Sequence, residues 1–211
     1  MSFGFRYGTR MAIIKLNSGG LVIWSPVALT SDLKTAVDNL GQVQAIIAPN
    51  SLHHLSVPEW QHTYPDARTF AAPGLAARRK DIAFDEELGT TAAALWAEDI
   101  DQVAVIGNAI TTEVVFFHRA SGTVLFTDLL QNFPAENFSG WRKMVARLDL
   151  MIGPQPRVPR KFRFAFRDKA AARAAVDRIT QWPALRVLMA HGTPVETNGA
   201  EFIRHAFRWL S

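Results

Sequence analysis

Four side chains stand out by type and by place. His53, His54 and His191 each fall just past the C-terminal end of a short apolar segment, and Asp128 directly follows another at 124–127. Imidazole and carboxylate both donate lone pairs to a hard or borderline cation, so the set could hold a metal ion. In layered α/β folds, strand C-terminal ends are where ligands bind. One loop histidine alone would be read as solvated or structural; the joint placement of the four carries the expectation. The chain has no cysteine, which excludes thiolate ligands, cysteine nucleophiles and disulfides together. The other histidines are read differently. His118 is expected to pair near Leu125, roughly 10 Å short of Asp128 at strand rise, toward the opposite end of a sheet. His62 and His205 sit among polar neighbours on helices and are expected to be solvated.

Each candidate needs an element that ends where it stands. Apolar runs at 11–16 and 21–24 flank Asn17-Ser18-Gly19-Gly20 and read as a β-hairpin. Thr30 or Ser31 caps a helix carrying Leu33, Val37 and Leu40, closed by Gly41. Residues 43–48 form a short buried strand stopped by Pro49, and a loop carries Asn50 to His54. A helix around Trp60 ends before Pro65. A strand at 68–72 and a short helix at 74–80 follow; 81–99 has no clear pattern. Strands are expected at 102–106, 113–118 and 123–127, the last two joined at Ser121-Gly122. Residues 138–148 read as a helix with Trp141, Met144, Val145 and Leu148 on one stripe. Asp168 caps an Ala-rich helix to about 181, 185–190 is a buried strand, and 196–210 is the closing helix. No repeat or linker divides the 211 residues, so a single domain over 1–211 is expected.

Composition narrows the partners. The net charge is +4, yet Arg157, Arg160, Lys161, Arg163 and Arg167 alone carry more than that, with no acid among them. A nucleic-acid footprint over the whole protein is therefore disfavoured. Residues 161–167 alternate strictly between cations and Phe162, Phe164 or Phe166, apart from Ala165. As a strand, this segment buries the three rings and turns its charges to solvent, or toward an anionic small-molecule substrate. No apolar run approaches the roughly 20 residues of a membrane span. Residues 1–10 hold no signal-type apolar core. A cytoplasmic protein without membrane association is expected.

The segments IIAPNSLHHL, LFTDLL and VLMAHGTPV resemble three landmarks of the metallo-β-lactamase fold superfamily, in that chain order. Laid over the family's strand, Thr-His-x-His-x-Asp-His and helix, the first gives Ala48, Pro49, Asn50, Ser51, Leu52, His53 and His54. The family's bridging carboxylate falls on Asp128 and its late histidine on His191, followed by Gly192. The Trp-Ser-Pro at 24–26, the Asn-x-x-His-His at 50–54 and the Phe-Phe-His at 116–118 look like a divergent branch. The resemblance implies an α/β fold, a four-layer αββα sandwich of metallo-β-lactamase type. It also implies a degenerate metal site. Pro49 and Ser51 stand where the family has a His-x-His pair, and Asn108 stands nearest its middle histidine. One of the two metal positions is thereby lost. The other is expected at His53, His54, Asp128 and His191, a set suited to one Zn²⁺, with Fe²⁺ or Mn²⁺ as alternatives.

Two readings of function follow. One is a metal-dependent hydrolase with at most one ion activating water, in which Asp128 and His54 also serve catalysis. The other is a catalytically inactive pseudoenzyme or binding module on the same fold. Nucleic-acid processing would rest on the 157–167 cations alone.

Overall fold

The computed structural model describes residues 8–152 and 157–210. The first sheet has five strands in the order β1 (Ala12–Lys15), β2 (Leu21–Trp24), β3 (Val43–Ala48), β4 (Arg68–Ala71) and β5 (Glu86–Glu87). β1 and β2 form the expected hairpin with Ala12 opposite Trp24, and β2 to β5 run parallel. The second sheet is β6 (Ile100–Val105), β7 (Glu113–His118), β8 (Thr123–Phe126) and β9 (Arg186–Met189). Its first three strands are antiparallel neighbours, and β8 pairs with β9 in parallel.

Alternation along the strands explains the layering. In β2, Val22 and Trp24 face the second sheet, while Leu21 and Ile23 face outward. In β3, Ala45 and Ile47 point in, and Ile46 and Ala48 point out. Both faces are buried, so these strands read as apolar runs interrupted only by Gln44. The inner faces meet around Trp24, Phe70, Trp96 and Phe116. The outer face of the first sheet is covered by α1 (Ser31–Leu40), α2 (Val57–Thr63) and α3 (Leu75–Arg78). That of the second is covered by α5 (Arg160–Ala165), α6 (Lys169–Thr180) and α7 (Gly199–Phe207). The result is the expected αββα sandwich. α4 (Gly140–Leu148) lies over a separate small cluster of Phe133, Phe138, Ala146, Met151 and Ile152.

Local chemistry sets the helix starts. Thr30 accepts from the Leu33 N–H at the head of α1, and Asp168 accepts from the Ala171 N–H at the head of α6. The unpatterned 81–99 stretch contributes β5 as a two-residue edge strand and buries Trp96 between the sheets. No helix among the described residues is long and apolar enough to cross a membrane.

Four expectations need correction. The alternating 161–167 segment is not a strand; α5 runs through it. Phe162 and Phe166 are buried, but Phe164 is 84% exposed. Phe162 lies on the buried face of α5 and Phe164 on its other side, while Phe166 is the extended C-cap, bridged to Asn108. Pro159 at the N-cap of α5 favours a helix start, because proline presets φ and has no N–H to satisfy there. The Trp141, Met144, Val145 and Leu148 stripe is on a helix as expected, but α4 begins at Gly140 rather than 138. His118 pairs with Thr123, and Phe116 takes Leu125, because β8 starts directly after the 119–122 turn. His118 still ends up at the far end of the sheet, bonded through Nδ1 to Ser121 Oγ at 2.8 Å. His205 is half-buried on α7 rather than solvated, while His62 is exposed on α2. The Pro-rich stretch 153–159 lies partly outside the described residues, as does most of 1–10.

Candidate metal centre

The loops after β3, β8 and β9 open at the same end of the sandwich. That shared end brings together residues far apart in sequence. Asn50 does most of the local work. Its Oδ1 accepts from the Leu52 and His53 N–H groups at 2.9 and 2.8 Å. This Asx turn bends the chain directly after Pro49 and sets the direction of His53. The Asn50 Nδ2 donates to Asp128 Oδ2 and to Thr127 Oγ1, both at 2.8 Å. One side chain thus shapes the histidine loop and holds the carboxylate across from it.

Asp128 is also held from behind. Glu113, the fully buried first residue of β7, accepts from the N–H groups of Thr127, Asp128 and Leu129 at 2.8, 2.8 and 3.0 Å. Burial and the neighbouring Asp128 charge raise the Glu113 pKa, against the pull of those N–H donors. Asp128 goes the other way. Burial alone would raise its pKa, but hydrogen bonds from His191 and His53 outweigh burial and hold it well below the ordinary carboxylate range.

His191 is fixed by the turn after β9. Its Nδ1 donates to the Gly8 carbonyl at 2.9 Å. Arg10 braces the same turn by donating to the Met189 and Gly192 carbonyls at 2.7 and 3.0 Å. Gly192 is required here: its φ is +91°, and a Cβ would overlap the Asn132 carbonyl. The His191 ring stacks on Phe133 at 6.1 Å between centroids. Burial disfavours its charged form, but Asp128 outweighs this and the His191 pKa is raised.

His53 is fixed through Ser25, the residue after β2. Ser25 Oγ lies 2.8 Å from His53 Nδ1. Ser25 is buried and holds a left-handed backbone, with φ +55°. A non-glycine residue in that region is strained by about 1 kcal/mol or more. Both histidines therefore spend Nδ1 on an outer partner and turn Nε2 inward. The two Nε2 atoms are 3.2 Å apart. His53 Nε2 is 3.3 Å from Asp128 Oδ2, and His191 Nε2 is 3.4 Å from Asp128 Oδ1. One ligand atom from each of the three residues falls within 4.8 Å of the others.

Of the four expected ligands, the structure brings these three together. His54 stays outside the cluster. It lines the same cavity but lies within electrostatic reach of Arg79 and Asp81. Burial first, then the Arg79 guanidinium, lowers its pKa. The residues that the resemblance sets at a second metal position are engaged elsewhere. Ser51 Oγ bonds Thr111 Oγ1 at 3.0 Å, and Asn108 donates to the Phe162 carbonyl at 2.8 Å and accepts from the Ile110 N–H at 3.0 Å. A cavity of about 590 Å³ opens over the cluster. Val27, Ala28, Leu55, Ile110 and Phe162 give it apolar walls, and Lys161 adds a cation.

Sequence reasoning missed Ser25, Asn50 and Glu113 as parts of the site. A signal was present for two of them. Asn directly after a strand-ending Pro is an Asx-turn signature, and an acid opening the apolar run 113–118 needs partners once buried.

The model of a domain of unknown function, DUF4336, matches residues 5–139. No curated protein matches the sequence. Among solved structures, the chain is similar to a metallo-beta-lactamase from Pontibacter korlensis, with 13% identity, TM-score 0.63, and coverage of 100% of this chain and 90% of that one. It is similar to the metallo-beta-lactamase FIM-1 from Pseudomonas aeruginosa in its mono-zinc form, with 12% identity, TM-score 0.61, and coverage of 100% and 88%. It is also similar to a peroxy diiron species of the chemotaxis sensor ODP, with 12% identity, TM-score 0.62, and coverage of 97% and 87%. These likenesses establish the fold, which is of metallo-β-lactamase type. The chain belongs to the DUF4336 family and has that fold.

Proposed function

We propose that this protein is a metal-dependent hydrolase in which His53, Asp128 and His191 hold one divalent cation. The observation that carries the reading is the inward convergence of two imidazole Nε2 atoms and one carboxylate at the floor of an open cavity. The donor set fits Zn²⁺, and Fe²⁺ or Mn²⁺ as well: two imidazoles and a carboxylate are common ligands that leave a coordination position for water. Each donor has an outer partner, Ser25 for His53, Gly8 for His191 and Asn50 for Asp128. Such partners orient the ligands, and the Gly8 carbonyl, as an acceptor behind His191, also raises the basicity of that imidazole.

When bound, the cation would supply a water of lowered pKa and polarise the scissile group. The chain's own residues do the rest. Asp128 presents two oxygens, one toward each histidine, and orients whatever lies between them. Val27, Leu55, Ile110 and Phe162 exclude bulk water from the reacting group. Lys161 attracts an anionic substrate to the cavity, and His54 offers a further imidazole on its wall. The test is metal analysis of protein purified without chelator, followed by turnover assays on ester, thioester and phosphoester panels. Stoichiometric metal, and turnover lost in His191→Ala, support the reading.

A second reading has its own observation. Asp128 already bonds both histidines, so the triad can satisfy itself without an ion. A chain that folds, takes up no metal and turns nothing over is a binding module.

A further inference from the structure

α4 carries an apolar stripe that faces outward. Its buried residue is Ala146, which packs on Phe133, Phe138, Met151 and Ile152. On the other side Trp141 is 56% exposed, Met144 61%, Val145 37% and Leu148 56%. These four are spaced i, i+3, i+4 and i+7, one continuous helix face. The rest of the helix surface is cationic. Arg142, Lys143 and Arg147 belong to α4, which has no acid. α5 adjoins its C-terminal end: the Arg160 N–H donates to the Asp149 carbonyl at 3.1 Å and the Lys161 N–H to Asp149 Oδ1 at 2.9 Å. α5 adds Phe164, 84% exposed, and three more cations. From 139 to 167 the sequence has eight cations and one acid, Asp149, a local excess larger than the net +4 of the whole chain. Burial first, and then the neighbouring Arg157, Arg160 and Arg208, push the Arg163 pKa down to about 10.

We propose that α4 and the adjoining α5 form a docking face for an anionic phospholipid surface, with Met144, Leu148 and Trp141 entering the interface and Arg142 and Arg147 meeting the headgroups. A short helix with an apolar face flanked by cations lies flat in a bilayer interface, held by buried apolar area and by charge attraction. The composition favours this occupant over two others. A two-fold contact with a second copy would set the α4 cations against themselves. A polynucleotide would meet the cations and could stack on Trp141 and Phe164, but Met144, Val145 and Leu148, the middle of the stripe, offer it neither stacking nor a hydrogen bond. α5 also reaches the cavity through Lys161 and Phe162, so the face and the candidate metal centre share an element. Docking on the surface needs no membrane-spanning helix, and the proposal replaces the expectation of no membrane association, which rested only on the lack of a spanning apolar run.

The experiment is flotation of the full chain with phosphatidylcholine vesicles, with and without phosphatidylglycerol, at low and high salt. The expected result is binding only to the phosphatidylglycerol vesicles, weakened by salt. Arg142→Gln with Arg147→Gln should weaken partitioning roughly thirtyfold, equivalent to about 1 kcal/mol per cation. Met144→Glu with Leu148→Glu should abolish it. All four positions are exposed, and unchanged far-ultraviolet circular dichroism will show that each variant keeps its fold. Brominated lipid should quench the parent chain, and quench Trp141→Phe much less. Three results overturn the proposal: equal or no binding to both vesicle types, vesicle binding indifferent to Met144→Glu with Leu148→Glu, or a face consumed instead by dimerisation or by a polynucleotide.

Discussion

His53 Nε2 stands 3.2 Å from His191 Nε2, and the two residues are separated by 138 positions in the chain. Each has its other ring nitrogen committed, to Ser25 and to Gly8. Two inward nitrogens at that spacing beside Asp128 can share protons or share an ion. If they share an ion, titration of chelator-treated protein with Zn²⁺ will show one tight site. His53→Ala or His191→Ala will remove it. His54→Ala will leave it within a few-fold, because His54 is outside the cluster. A second tight site, or loss of the site in His54→Ala, refutes this ligand assignment.

Ser25 allows strain and positioning to be separated. Ser25→Ala keeps the left-handed backbone and removes the hydroxyl that orients His53. Ser25→Gly removes the hydroxyl too, but relieves about 1 kcal/mol of backbone strain. Both variants are expected to weaken Zn²⁺ binding roughly tenfold or more, as losses of an outer partner do. Their melting temperatures should differ, with Ser25→Gly the more stable of the two. If Ser25→Gly binds zinc as the parent does, the Oγ contact is not what positions His53.

Much of this site could be read from strand ends. His53, Asp128 and His191 each follow an apolar strand, and strand ends are legible because the apolar run stops. What could not be read was the choice between His53 and His54. Loops have no periodicity, so adjacent side chains give no hint of which points inward. Asn50 settles it by accepting from the His53 N–H. Ser25 and the bond from Asn50 to Asp128 were hidden for a related reason: the partners lie 28 and 78 residues apart. The strands β2 and β3 were legible because both their faces are buried, giving apolar runs interrupted only at Gln44, whereas the four-layer arrangement came from the resemblance of the three strand-end segments. The 161–167 segment was misread because Phe162, Phe164 and Phe166 alternate as they would in a strand, although Phe162 is buried from α5 and Phe166 from its extended C-cap.

Tyr64 gives a pH prediction away from the site. Burial, and then its hydrogen bond to Asp38, push its pKa up to about 12. The phenol donates to Asp38 Oδ1 at 2.9 Å, so the neutral form is favoured in the folded state. A raised folded pKa means the contribution is fully present below the unfolded value near 10 and is lost as pH rises through about 12. The chain has two tyrosines, so Tyr7→Phe leaves Tyr64 as the only phenol to follow by near-ultraviolet absorbance. Its midpoint should lie near 12 and fall part of the way toward 10 in Asp38→Asn, where burial remains. A midpoint near 10 in the Tyr7→Phe chain would show the phenol to be exposed and unbonded.

Glu113 should prove a structural requirement for the position of Asp128. Its carboxylate takes three backbone N–H groups, on Thr127, Asp128 and Leu129, with no exposure to water. Glu113→Gln replaces one acceptor oxygen with an amide NH₂, which must then face a backbone donor. Both groups are buried and neither has water to turn to. Leaving a buried donor unsatisfied costs about 1–3 kcal/mol, so the urea midpoint should fall by an amount of that order. The loss should reach the site as well, because the displaced 127–129 backbone carries Asp128. Zinc affinity and stability are therefore expected to drop together in Glu113→Gln. In Asp128→Asn, by contrast, zinc affinity should fall while the Glu113 bonds to the backbone persist. A Glu113→Gln chain with parent stability would mean that the three N–H groups find another acceptor, and that β7 does not set the Asp128 carboxylate.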